Sequence, residues 1–202
     1  MKLLIATNNP KKREELEALL AGLPVEILAL RDFPHAPDVV EDGETLEANA
    51  AKKASETARA CGVHTVADDS GLFVDALGGR PGVRSARYAG PHPTSRKLCR
   101  KLLSEIESVP DTERGAHFRC CIAMADPAGR IVLTASDRVD GSIIREMQGT
   151  GGFGYDPVFC HEPAGKTFAR MRPDDKNAVS HRGRALRQFR RQFAEWLNSR
   201  RD

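Results

Sequence analysis

No apolar run in this chain approaches the ~20 residues needed to cross a bilayer. The N-terminal stretch MKLLIATNN meets charge at Lys11, too early for the apolar core of a secretory leader. The expectation is therefore a cytoplasmic protein, read from its mature N-terminus, with no membrane partner. Cysteine is scarce and poorly spaced for metal: Cys61, Cys99, Cys120, Cys121 and Cys160 are five, an odd number, with no C-x-x-C among them. Reduced thiols follow. Cys120 and Cys121, inside FRCCIAMA, read as two small packed residues on opposite faces of a strand. Internal repeats and low-complexity linkers are also missing, and the length allows one domain or two small lobes. Residues 1–202 are expected to form a single domain.

Aromatic residues make up only 5% of the chain and the net charge is only +3. The distribution of that charge is more telling than its total. From His181 onward seven Arg oppose only Glu195 and Asp202, a local charge of +5, so residues 1–180 carry −2. An arginine-rich terminal segment could track phosphates on a nucleic acid. An acidic remainder, few aromatics and an aromatic face needed for the core argue against such a module, so no nucleic-acid partner is expected.

What is there alternates early between strand and helix. Residues 2–6 read as a buried strand ending at Thr7-Asn8-Asn9-Pro10. A helix follows, with Asn9 as N-cap, Pro10 at its first position and Leu16, Leu19, Leu20 and Leu23 on one face. Residues 25–30 suit a second strand. Residues 45–61 suit a helix carrying Leu46, Ala50, Ala54, Thr57, Ala58 and Cys61 on one side and stopped by Gly62. A strand over 63–67 then closes on ADDSG. Residues 94–106 look helical, residues 116–141 read as a hairpin turning at 126–129, and a glycine-rich loop and a polar loop lead to a terminal helix from Ser180. The pattern predicts an α/β protein with a mixed sheet.

Three constellations carry chemistry. The first, TNNPKKREEL, opens a helix with Lys11, Lys12 and Arg13, although a helix N-terminus favours anions. Either a phosphate chain docks there, with Lys12 closing over it and Thr7 and Asn9 donating, or these cations pair in water with Glu14, Glu15 and Glu17. The second joins Asp68 and Asp69 to EDGE at 41–44. Neighbouring carboxylates repel unless a cation intervenes. Mg2+ held by Asp69 and Glu41 would meet that need, and a plain turn capped by Asp is the alternative. The third pairs GGFGYDP with KNAVSHRGRAL. Phe153 could stack on a base, with Lys176, His181 and Arg182 as donors, or the segment is a hydrophobic corner followed by a helix capped by Ser180. In the terminal helix, Leu186, Phe189, Phe193, Trp196 and Leu197 form a core stripe, and Arg187, Arg190 and Arg191 read as a solvated face.

Taken together, ATNNPKKREEL, EDGETLEANAAKKA, ADDSGLFVDALGGRPGVRSARYAG, GTGGFGYDPVF and KNAVSHRGRAL resemble, in order, the motifs of the inosine triphosphatase family. These are pyrophosphatases of non-canonical purine nucleoside triphosphates. The resemblance implies an α/β fold with a central curved mixed β-sheet flanked by helices, two lobes with a cleft between them, and usually a homodimer. It also implies Mg2+-dependent hydrolysis of dITP, ITP and XTP to the monophosphate and pyrophosphate. By position, Thr7, Asn9 and Lys12 match the phosphate-binding loop, whose Asn8, Pro10 and Lys11 are also expected to bind substrate, and Lys53 matches a lysine near the phosphates. Glu41 and Asp69 match metal ligands, Asp69 also the proton acceptor. Ser70, Phe153, Gly154, Tyr155, Asp156, Lys176, His181 and Arg182 match substrate-binding positions. Lys12, Lys53 and Lys176 would then stabilise charge on the departing oxygens. Asn8 stands where that family often has glycine, and Arg170 where it often has an acid. The nearest enzymatic rival is a Maf-like nucleotide pyrophosphatase of different base specificity, against which the SHR and GGFGYDP motifs argue.

Overall fold

The computed structural model describes residues 1–200. Its elements are β1 (Lys2–Ile5), α1 (Pro10–Leu20), β2 (Glu26–Ala29), α2 (Leu46–Cys61), β3 (His64–Val74), α3 (Ser95–Glu105), β4 (Gly115–Ala125), β5 (Ile131–Ile143), β6 (Phe159–His161), β7 (Lys166–Thr167), α4 (Pro173–Val179) and α5 (His181–Asn198). The strands form one seven-stranded sheet in the order β2-β1-β3-β4-β5-β6-β7. It is mixed: β1 runs parallel to β2 and β3, whereas β6 is antiparallel to β5 and β7. The α/β class and the mixed sheet are those expected. Among the described residues no helix is long and apolar enough to cross a membrane.

Local chemistry explains the helices. Asn9 caps α1 and Pro10 occupies its first turn, where a missing N–H costs nothing. Leu16 and Leu20 are buried from α1. Thr45 caps α2 by accepting from the Ala48 amide, and Gly62 ends it in the left-handed conformation. Thr94 caps α3 in the same way, and its Leu98, Cys99 and Leu102 are buried.

The described chain divides into two compact units. One comprises Met1–Asp69, Cys120–Ser136 and residues 185–200, and the other Ser70–Arg119 and Asp137–Arg184. The first unit packs Leu3, Ile5, Leu16, Leu20, Val66, Cys120, Ile122, Phe189 and Phe193 into one core. Each fully buried Phe contributes about 1.5–3 kcal/mol relative to an exposed one. The second unit has its own core of Leu72, Val74, Leu98, Leu102, Phe118, Tyr155, Phe159 and Phe168. Cys120 and Cys121 are buried free thiols, as read from the sequence.

Four features depart from the sequence reading. β3 does not close at Ala67; it runs on through both aspartates to Val74. Asp is a poor strand former, yet both carboxylates have partners, described below, and Leu72 and Val74 are fully buried. Residues 173–179 form a short helix rather than a loop, with Pro173 in its first turn beside Asp174 and Asp175. The short strands β6 and β7 extend the sheet beyond the expected hairpin. Arg190 is not part of a merely solvated face: its guanidinium donates to the carbonyls of Leu19 and Ala21, at the end of α1. Those carbonyls lack intrahelical donors, and Arg190 supplies them.

Candidate functional site

The sequence-derived residues fall into two clusters, one in each unit. In the first, β1 delivers the chain to a tight loop closed on itself. The Asn9 amide donates to Thr7 Oγ1 at 3.2 Å, and Asn9 Oδ1 accepts from the amides of Lys11 at 3.0 Å and Lys12 at 3.4 Å. Asn9 thus acts here as an acceptor. No acid occupies the first turn of α1, so its N-terminal field is unopposed by its own sequence. Asn8, Pro10 and Lys11 are exposed.

Lys12 reaches past this loop to β3, where its Nζ lies 2.9 Å from Asp68 Oδ2. Asp68 is only 2% exposed, so the pair is largely out of water and its attraction is weakly screened. Lys53, from α2, forms an ion pair with Glu41. Burial disfavours the Lys53 ammonium, but the charges of Asp68 and Glu41 outweigh it and hold its pKa above the ordinary lysine value. Asp69 behaves in the opposite way. Burial, then the charge of Glu41, pushes its carboxyl above the usual carboxylate range, while Lys53, the Asn49 amide and Lys12 pull it down. The Asn49 contact is a hydrogen bond of 3.0 Å from Nδ2 to Asp69 Oδ2. A buried carboxyl whose pKa is raised in this way is a better proton acceptor than an ordinary carboxylate.

Among the described residues no three His, Cys, Asp or Glu side chains are arranged as a metal-binding group. The donor chemistry nevertheless suits a hard divalent cation. Glu41 and Asp69 offer only carboxylate oxygens, and the charge of Glu41 raises the pKa of Asp69, a repulsion that a divalent ion between them would relieve.

The second cluster is built around Asp156, which is 3% exposed. Its Oδ2 accepts from the Phe153 amide at 2.7 Å and from Lys176 Nζ at 2.6 Å. Lys176 Nζ also lies 4.8 Å from the centroid of the Phe153 ring, and the Arg182 guanidinium lies 5.7 Å from it. Arg182 Nη2 donates to Ser70 Oγ at 3.1 Å. Half-buried Phe153 is therefore an aromatic platform set among cations, while Asp156 faces inward and organises the loop. Tyr155 is buried, its hydroxyl donating to the Ser85 carbonyl at 2.9 Å. The Gly154 amide donates to Ser95 Oγ at 2.8 Å, and Cys99 Sγ donates to the Gly154 carbonyl. Burial pushes the Cys99 thiol up to about 12, so it serves packing rather than nucleophilic chemistry. His181 stacks on Phe118 with ring centroids 4.7 Å apart. Lys176 lies in this cluster, beside Phe153 and Asp156.

A family profile described as Ham1 family matches residues 3–192. The chain belongs to the Ham1 family. Among Ham1 relatives, a dITP/XTP pyrophosphatase of Geobacter sulfurreducens is 52% identical over 185 residues, 92% of each chain. One of Geobacillus kaustophilus is 47% identical over 96% of this chain and 94% of its own. A solved structure of a HAM1 protein from Coxiella burnetii superposes with a TM-score of 0.91 at 37% identity, covering 96% of this chain and 99% of that one. The Ham1 identity agrees with the resemblance drawn from the five motifs.

Two residues escaped the sequence reading. Asp68 was quoted in the motif but given no role, because adjacent carboxylates do not announce which one is paired. Asn49 left a fainter signal: it is a polar residue between Leu46 and Ala50, and it is fully buried.

Proposed function

We propose that this protein is a Mg2+-dependent nucleoside triphosphate pyrophosphatase. Its substrates are non-canonical purine nucleotides, dITP, ITP and XTP, which it cleaves to the monophosphate and pyrophosphate. The observation that carries this reading is the buried Asp68-Asp69 pair of β3 set among Lys12, Lys53 and Asn49 beside a helix N-terminus free of acids. In a cytoplasmic homodimer, the arrangement implied by the family resemblance, this activity keeps altered purines out of DNA and RNA.

Each side chain has a role in that chemistry. Lys12 and Lys53 supply positive charge for the phosphate oxygens and for the charge that develops on the leaving pyrophosphate. Asp69, its carboxyl raised by burial, orients the attacking water and accepts its proton. Glu41 and Asp69 would hold Mg2+, which neutralises triphosphate charge. Phe153 stacks on the base, and Arg182 presents donors to it. Hypoxanthine and xanthine carry a 6-oxo acceptor where adenine carries an amino donor. A buried donor left facing that amino group costs about 1–3 kcal/mol, enough for roughly ten- to hundredfold discrimination.

The test is a turnover assay with Mg2+ on dITP, XTP, dATP and dGTP that measures pyrophosphate and orthophosphate separately. Pyrophosphate released from dITP and XTP, with little from dATP and dGTP, is the expected result. Orthophosphate alone, or no turnover of any of the four, would overturn the proposal.

A further inference from the structure

Asn49 is completely buried on α2, and both ends of its amide are used. Nδ2 donates to Asp69 Oδ2 at 3.0 Å, and Oδ1 accepts from the Gly43 amide at 2.8 Å. The orientation of the amide is forced: a carboxylate needs a donor and a backbone N–H needs an acceptor. One helical turn further along, Lys53 grips Glu41, which lies two residues before Gly43. Positions four apart share a helix face. The same face of α2 thus holds Asp69 through Asn49 and Glu41 through Lys53.

Gly43 belongs to this arrangement. A Cβ there would lie 2.7 Å from Asn49 Oδ1 and 3.0 Å from Ala48 Cβ. The absence of a side chain lets the loop backbone come down onto the amide. Burying an amide costs several kcal/mol unless its donor and acceptor are both satisfied. A buried helix position that served packing alone would be filled more favourably by Leu or Ala.

We infer that Asn49 is a positioning residue: it fixes the rotation of the Asp69 carboxylate and ties it to the loop carrying Glu41, so that the two acids hold one relative geometry. The inference rests on the function proposed above and deepens it. Carboxylates with a fixed separation bind a divalent ion without first being ordered, and a fixed Asp69 holds its water on line for attack. Losing such a partner costs about 10–100-fold in metal affinity or turnover.

The experiment compares the full chain with Asn49→Ala, Gly43→Ala and, as a control, Thr57→Val, an equally buried site two turns along α2. Each variant is checked for native circular dichroism and thermal midpoint. It is then titrated calorimetrically with Mg2+ alone and assayed for kcat and KM on dITP. For Asn49→Ala, kcat is expected to fall about 10–100-fold with KM within about threefold, and Mg2+ affinity to fall at least tenfold. Thr57→Val is expected to lose stability and change neither. Should Asn49→Ala fold poorly, Gly43→Ala presses on the amide from outside the helix and is expected to give the same split. Native variants with unchanged kcat and unchanged Mg2+ affinity would overturn the inference and leave the proposed function standing. An unsubstituted chain that releases no pyrophosphate from dITP would overturn the function, and the inference with it.

Discussion

Gly183 sits where α4 meets α5, and replacing it with alanine sets two measurable effects against each other. In a helix, alanine is better than glycine by about 1 kcal/mol. The structure opposes this gain with a collision. A Cβ on Gly183 would lie 1.8 Å from the Asn177 carbonyl oxygen and 2.8 Å from the carbonyl carbon, both backbone atoms that no rotamer change can remove. To reach ordinary contact, α4 and the start of α5 must separate by roughly 1.5 Å. Overpacking of that kind costs about 1–3 kcal/mol, and here it is the larger effect. At about 2–4 °C per kcal/mol for a chain of this size, a net loss of up to about 2 kcal/mol lowers the thermal midpoint by several degrees. Activity is more sensitive still, because α4 carries Lys176 and the first turn of α5 carries His181 and Arg182. Misplacing such groups by about 1 Å can cost 10²-fold in rate. The assay is kcat/KM for pyrophosphate release from dITP, alongside a thermal melt. A Gly183→Ala protein with an unchanged or higher midpoint and kcat/KM within twofold would refute the reasoning.

Three further outcomes follow from the geometry. Lys176→Met strands the carboxylate of Asp156, 3% exposed, and is expected to cost about 3–5 kcal/mol in urea unfolding. Adding Asp156→Asn should return part of that stability without restoring dITP turnover, and equal stabilities for the single and double variants would count against a buried pair. His161 is buried, with no partner for Nδ1, and burial holds its pKa below the ordinary 6.5. A depressed histidine pKa stabilises the fold fully above pH 6.5, and that stability is lost as pH falls toward the folded value. The thermal midpoint should therefore decline below pH 6.5, less steeply in His161→Phe, and an identical decline in both proteins would contradict this. Arg190→Met removes donors from the end of α1 and should cost about 1 kcal/mol while leaving kcat on dITP unchanged. A fall in kcat at native stability would show that this arginine does more than cap a helix.

The legible parts of the fold were those set by local rules. Asn9-Pro10, Thr45 and Gly62 marked helix ends through hydrogen bonding and backbone conformation that need only near neighbours, and the structure places each where expected. β3 was cut short because intrinsic preference says that two aspartates end a strand; what keeps it going comes from Lys12 and Asn49, distant in sequence. β6 and β7 have three and two residues, too few for any periodicity to show. The same limit applies to the site. Residue types point to an acidic centre and an aromatic, cationic one, and Phe153 and Lys176 already fall in the same constellation. The ion pair of Lys176 with Asp156 shows only once the loop and helix are folded together.

The adjacent aspartates raise a question of cost, since two buried like charges on one strand are unfavourable wherever they stand. The structure answers by giving them different tasks. Asp68, at 2% exposure, takes Lys12 as its ion partner. Asp69 receives the neutral amide of Asn49. An amide stabilises a carboxylate without adding a cation, and burial raises the pKa of Asp69, which makes its carboxylate more basic than an ordinary one. With Lys12 and Lys53 set against Glu41, Asp68 and Asp69, the side chains of this group sum to one negative charge. A divalent cation held there, as proposed above, would turn that residual charge to a net positive one and would favour a triphosphate.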